Sequence, residues 1–220
     1  MSTRCHRVAW PVRAAALLLA ALALRATPVQ AQAAASATAY AQRYAALCAG
    51  CHGAPGVSAM AMTPSLAGQP SFYAITQLFL FRDGRRDNAL MTAVAKGLSD
   101  ADLRGFADHI GRLPPAAPAP ADDAAAADAQ QLARGASLGQ RLHCSGCHGA
   151  DYAGGKQVPR LAGQRADYLL HALQGFASGR RLGYTPAMTE ALAGTTPEQL
   201  VDLALYLSQF GAAAAPPRSP

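Results

Sequence analysis

Two five-residue stretches carry the chemistry of this 220-residue chain: Cys48-Ala49-Gly50-Cys51-His52 and Cys144-Ser145-Gly146-Cys147-His148. A structural zinc site needs four ligands, and each thiol pair lies some 90 residues from the other. A redox dithiol wants a βαβ setting, which the sequence lacks. A disulfide across either pair would leave the adjoining histidine unexplained. The remaining reading uses every residue. The two thiols form thioethers with the vinyl groups of haem, and the histidine beside the second cysteine becomes the proximal iron ligand, which is the c-type haem signature. The sites expected are therefore Cys48, Cys51, Cys144 and Cys147 for two covalent haem c groups, with His52 and His148 on the irons. The remaining cysteine, Cys5, lies in the N-terminal segment, so no thiol is left for a structural disulfide.

A thioether as sixth ligand raises the iron potential and suits electron transfer. Met91 follows Cys48 by 43 residues and Met188 follows Cys144 by 44, both in a Met-Thr pair before the last helix of their copy. Met60 and Met62 have no counterparts in the second copy and stand too close to His52 to wrap to the opposite face. Met91 and Met188 are the expected axial ligands. His109 and His171 compete only weakly, each lacking a counterpart, and His143 receives no role. A ligating histidine usually donates its other N–H to a carbonyl. Pro64 and Pro159, 12 and 11 residues beyond the two histidines, could supply that carbonyl or be ordinary loop prolines. Arg85, Arg86, Arg180, Arg181, Tyr73 and Tyr168 could pair with haem propionates, or be solvated and packed.

These residues recur because the chain is a tandem repeat. CAGCHGA and CSGCHGA lie 96 residues apart, PSLAGQPSFY and PRLAGQRADY 95, and FRDGRR and FASGRR 95. Two units of this length are duplicated domains, since a solenoid needs several shorter ones. Each copy reads as helical. A helix from Ser36 runs into the first motif with Tyr40, Tyr44 and Leu47 on one face. PSFYAITQLFLFRDG and RADYLLHALQGFASG are apolar at three-to-four spacing and stop at Gly84 and Gly179. Ser99 with Asp102, and Thr196 with Pro197, open the closing helices. No strand alternation stands out, so the fold class expected is all-α: two tandem domains, each around a haem. Their expected bounds are 32–112 and 128–212, joined by a Pro/Ala-rich linker at 113–127 and followed by a disordered tail at 213–220.

Residues 1–31 read as a signal peptide: Arg4, Arg7 and Arg13, an apolar run from Ala14 to Leu24, then cleavage after Ala31. The run is shorter than the roughly 20 residues a membrane span needs. Cleavage removes four arginines and lowers the formal charge from +6 to +2. With the remaining Lys and Arg scattered, no nucleic-acid surface is expected. The localisation expected is periplasmic, with at most peripheral membrane association.

The CHG motifs, the two LAGQ segments with Tyr73 and Tyr168, and the late Met-Thr pairs resemble the class I dihaem cytochromes c of the cytochrome c4 group. The resemblance covers about Tyr40 to Phe210. It implies two cytochrome c folds about a pseudo-twofold axis, with His52/Met91 and His148/Met188 ligation. It also implies periplasmic carriage of single electrons between a quinol-oxidising complex and terminal oxidases or reductases. With methionine closing both irons no substrate could reach them, so no enzymatic activity is expected. The alternatives are a dihaem electron-transfer subunit of a flavin- or quinone-dependent dehydrogenase, and a dihaem peroxidase or thiosulfate-oxidising enzyme, which needs an open or differently ligated iron.

Overall fold

The computed structural model describes residues 28–115, 117, 128–181 and 186–211. The expected signal run, most of the linker and the tail lie outside these residues. Chain contacts separate residues 1–38 from residues 39–220, and the latter group as one unit.

Among the described residues the regular structure is helical, with a single isolated bridge between Gly155 and Val158. The first copy contains α1 (Pro28–Leu47), the one-turn α2 (Ala49–His52), α3 (Ser71–Arg82), α4 (Ala89–Lys96) and α5 (Asp100–Arg112). The second contains α6 (Ala129–Arg141), the short α7 (Cys144–His148), α8 (Ala166–Ala177), α9 (Ala187–Ala191) and α10 (Pro197–Gln209). No described helix is long and apolar enough to cross a membrane. α1 begins at Pro28, eight residues before the Ser36 start expected, because alanines with high helix propensity precede it.

The closing helices start where the caps dictate. Ser99 and Asp102 form a capping box, as do Asp128 with Gln131 and Thr196 with Gln199, each satisfying two otherwise orphan backbone donors. α3 and α8 end at Gly84 and Gly179, both with positive φ, near 68°. After each turn an arginine folds back over a phenylalanine: Arg86 over Phe81 at 4.3 Å and Arg181 over Phe176 at 4.8 Å.

Each copy has its own core. In the first, Tyr44, Leu103, Phe106 and Ile110 are buried where α1, α3 and α5 meet. In the second, Leu138, Leu169, Leu203 and Leu207 are buried where α6, α8 and α10 meet. The first and last helices of each copy cross closely over a glycine, but from opposite partners. A Cβ on Gly105 of α5 would fall 2.1 Å from the Tyr40 ring, whereas one on Gly135 of α6 would fall 2.2 Å from the Asp202 carbonyl oxygen. Leu47, expected on one helix face with Tyr40 and Tyr44, is the last residue of α1 and is 46% exposed.

The two copies meet through their LAGQ segments. Gln69 Nε2 donates to Arg160 O at 2.9 Å and its Oε1 accepts from Arg160 N at 3.0 Å. Gln164 Nε2 donates to Ser65 O and its Oε1 accepts from Ser65 N, both at 2.8 Å. This exchange, in which equivalent positions of each copy grip each other, is the pattern of an isologous contact.

Candidate functional site

Each motif occupies a helix of about one turn. Cys51 N and His52 N both donate to Cys48 O, winding the first motif so that its two thiols and imidazole project from one tight coil. The glycine after each histidine ends the turn at φ 81° and 84°. At Gly53 no other residue fits, since a Cβ would lie 2.0 Å from Val57 O. Cys48 and Cys144 pack at the edges of the two cores. Burial pushes the Cys48 thiol up to about 11, against a smaller opposite pull from Arg43, and burial also raises Cys144. The four thiols are free, and no cluster of three His, Cys, Asp or Glu suited to a metal ion occurs among the described residues.

The loop after each motif doubles back to meet its histidine. Gly56 O accepts from Leu66 N and Ala67 N, and in the second copy Tyr152 O accepts from Leu161 N and Ala162 N. Gly56 and Tyr152 both have positive φ, 76° and 51°. The second copy thus imposes on a tyrosine a turn that glycine makes without strain, with Tyr152 buried against Phe210 at 4.8 Å. These loops bring Pro64 O to 2.8 Å from His52 Nδ1 and Pro159 O to 3.0 Å from His148 Nδ1. A carbonyl cannot donate, so Nδ1–H donates and Nε2 is the free lone pair. Of the two readings open for these prolines, the carbonyl acceptor is the one observed. Both imidazoles are buried, and burial holds them below the ordinary histidine value despite the opposite pull of the proline carbonyls; Arg86 lowers His52 further.

Met91 is half-buried in the first turn of α4, where Asn88 Oδ1 accepts its backbone N–H at 2.9 Å. Met188 is half-buried on α9, packed against the second core. Met60 and Met62 are about half exposed. His171 and His143 are exposed, while His109 lies 4.9 Å from the Tyr44 ring.

The basic residues divide. Arg85 is exposed beside Asp83 and Arg180 is exposed. Arg86 instead reaches into the second copy, donating to Tyr168 Oη at 2.7 Å as well as to Gln77 Oε1 at 2.6 Å. Arg181 Nη2 approaches the same phenol at 3.5 Å. Burial alone would raise Tyr168, but the two guanidiniums outweigh it and hold the phenol below its ordinary value. Two cations and a phenol therefore stand together between the copies. Gln69, Gln164 and Asn88 carry no role in the sequence reading. For the glutamines a signal existed: a polar residue repeated in the same frame among apolar neighbours.

This donor set fits haem c. Each copy offers two free thiols on one turn, a buried neutral imidazole with Nε2 available, and a methionine thioether on the element before its last helix. Leu47 and Leu90, neighbours of Cys48 and Met91, add apolar surface.

Comparison with known proteins places the arrangement. Residues 132–210 match the family described as cytochrome c, and residues 35–110 the one described as cytochrome c oxidase, cbb3-type, subunit III. A thiosulfate dehydrogenase electron acceptor of Thiomonas intermedia is 39% identical over 63% of this chain and 66% of its own. The structure of reduced cytochrome c4 from Pseudomonas stutzeri superposes with TM-score 0.70 at 28% identity, over 79% of this chain and 98% of that one. Thiosulfate dehydrogenase (TsdBA) from Marichromatium purpuratum superposes at 0.64 with 35% identity, over 82% of this chain and 40% of that one. Cytochrome c4 of Pseudomonas aeruginosa is 32% identical over 76% of this chain and 85% of its own. At that identity and coverage the chain belongs to the class I dihaem cytochromes c of the cytochrome c4 family.

Proposed function

We propose that the chain carries single electrons between redox proteins of the periplasm, with haem c bound through Cys48 and Cys51 in one copy and Cys144 and Cys147 in the other, and with His52/Met91 and His148/Met188 on the irons. The chain is a dihaem electron-transfer cytochrome, not an enzyme, and its two haem c groups are covalent. When bound, each haem supplies a one-electron iron couple. The protein's residues do the rest. The thioether cysteines fix the porphyrin against each core. The imidazoles, held by Pro64 and Pro159, present Nε2 in a set orientation. Met91 and Met188 would supply thioethers, which favour the reduced iron. Arg86, Arg181 and Tyr168 would supply charge and donors for haem propionates. The copies span 32–112 and 128–212, after removal of a signal peptide at 1–31.

The observation that carries this reading is the duplicated Nδ1–H to proline carbonyl bond on a one-turn Cys-x-x-Cys-His helix. Intact mass of the purified holoprotein tests it. Two haem increments are expected, falling to one in Cys48→Ser/Cys51→Ser and in Cys144→Ser/Cys147→Ser; retention of both in either variant would overturn the assignment.

A second reading makes the chain the electron acceptor of a dehydrogenase, delivering to respiratory oxidases or reductases. The likeness to the Thiomonas intermedia thiosulfate dehydrogenase electron acceptor favours it. Stable co-purification with a larger dehydrogenase chain would support this form, and a monodisperse free chain the shuttle.

A further inference from the structure

The two glutamine contacts between the copies grip a particular peptide group. The carbonyl of Pro64 and the amide N–H of Ser65 belong to one peptide unit. Its oxygen accepts from His52 Nδ1 at 2.8 Å, and its N–H donates to Gln164 Oε1 of the other copy at 2.8 Å. The same holds in reverse: the peptide between Pro159 and Arg160 accepts from His148 Nδ1 at 3.0 Å and donates to Gln69 Oε1 at 3.0 Å. Both glutamines are buried, and each amide also ties its Nε2 to the carbonyl of the same residue, Ser65 or Arg160. Gln164 Oε1 additionally accepts its neighbour Arg165 N at 3.0 Å.

Hydrogen bonds in a chain polarise one another. Donation from the peptide N–H makes its carbonyl oxygen a better acceptor. A better acceptor draws the Nδ1 proton, adding anionic character to the imidazole and strengthening it as an iron donor. A more basic ligand favours the oxidised iron and lowers the potential. We infer that Gln164 and Gln69 are positioning residues that set the potential of the haem in the opposite copy, each through one shared peptide. The duplication thus does more than hold two carriers together, because each copy completes the ligand environment of the other. The inference rests on His52 and His148 being the iron ligands.

The test uses the full-length holoprotein with the haem resonances of each copy assigned by NMR. Gln164→Met keeps the length and removes the acceptor. The potential is expected to rise at the haem of the first copy and the His52 Nδ1–H resonance to move upfield, with the second haem little changed. Gln69→Met is expected to do the mirror image at His148. Gln164→Asn, which keeps an amide but withdraws it by one methylene, covers the case in which the methionine variant does not fold and is expected to act in the same crossed direction. A shift at the variant's own copy, an equal shift at both haems from simple loosening of the contact, or no shift would overturn the inference. The wild type separates this from the ligation reading: absence of iron-bound ring signals from His52 and His148 sinks the ligation, whereas their presence without a crossed effect sinks only the glutamine coupling.

Discussion

Asn88 accepts the amide N–H of Met91, so the proposed sixth ligand sits in a turn held by one side chain. Asn88→Ala removes that cap, typically about 1 kcal/mol. The near-infrared band of methionine-bound ferric iron is expected to fade at a lower temperature for one of the two centres and to persist for the other. A second residue-scale prediction concerns Asp102. Arg43, with lesser contributions from Ser99, holds its carboxyl well below the usual carboxylate range. A depressed carboxyl contributes stability above its unfolded pKa of roughly 4, and loses it as pH falls through the lower folded value. Asp102→Asn should therefore melt earlier than wild type at pH 7, and the gap should close in acid; equal melting at pH 7 would contradict it. At this scale the cysteines and histidines were legible, since their types and spacing admit few chemistries. Asn88 was not, because it has neither an acidic residue three positions on, as Ser99 has, nor a following proline, as Thr196 has.

The crossing of first and last helices is a property of elements. Gly105→Ala must displace the Tyr40 ring, which is bonded to Ala101 O and Asp102. Gly135→Ala meets the Asp202 carbonyl, a backbone atom that no rotamer change can move. Overpacking costs roughly 1–3 kcal/mol. Gly105→Ala is expected within that range and Gly135→Ala at or beyond its upper end, read as a larger fall in urea midpoint. The order of helices, their glycine stops and the Ser99 and Thr196 caps were readable from local pattern. The exposure of Leu47 was not readable, because periodicity gives a face but not how far along it the packing reaches. The route of the loops that return Pro64 and Pro159 to the histidines depends on positive-φ turns, one of them at Tyr152, which no residue preference announces.

At the scale of the whole molecule, two small cores face the entropy of ordering a long chain. Units of about 80 residues are marginal without added apolar mass, and each core is a small cluster of buried side chains among the described residues. Blocking attachment with Cys48→Ser/Cys51→Ser or with Cys144→Ser/Cys147→Ser should therefore unfold the copy concerned, seen as lost helical circular dichroism; full retention of helix in either variant would contradict it. The repeat itself was plain in the sequence, but its reciprocal glutamine contact required the two copies to be seen together. Two closed, methionine-ligated irons in one chain would be visible in oxidised and reduced spectra of the purified holoprotein, recorded into the near infrared with a haem-to-protein ratio. Two haems per chain with the full methionine–iron(III) band and low-spin features is the result predicted; a half-strength or missing band with high-spin character would contradict it.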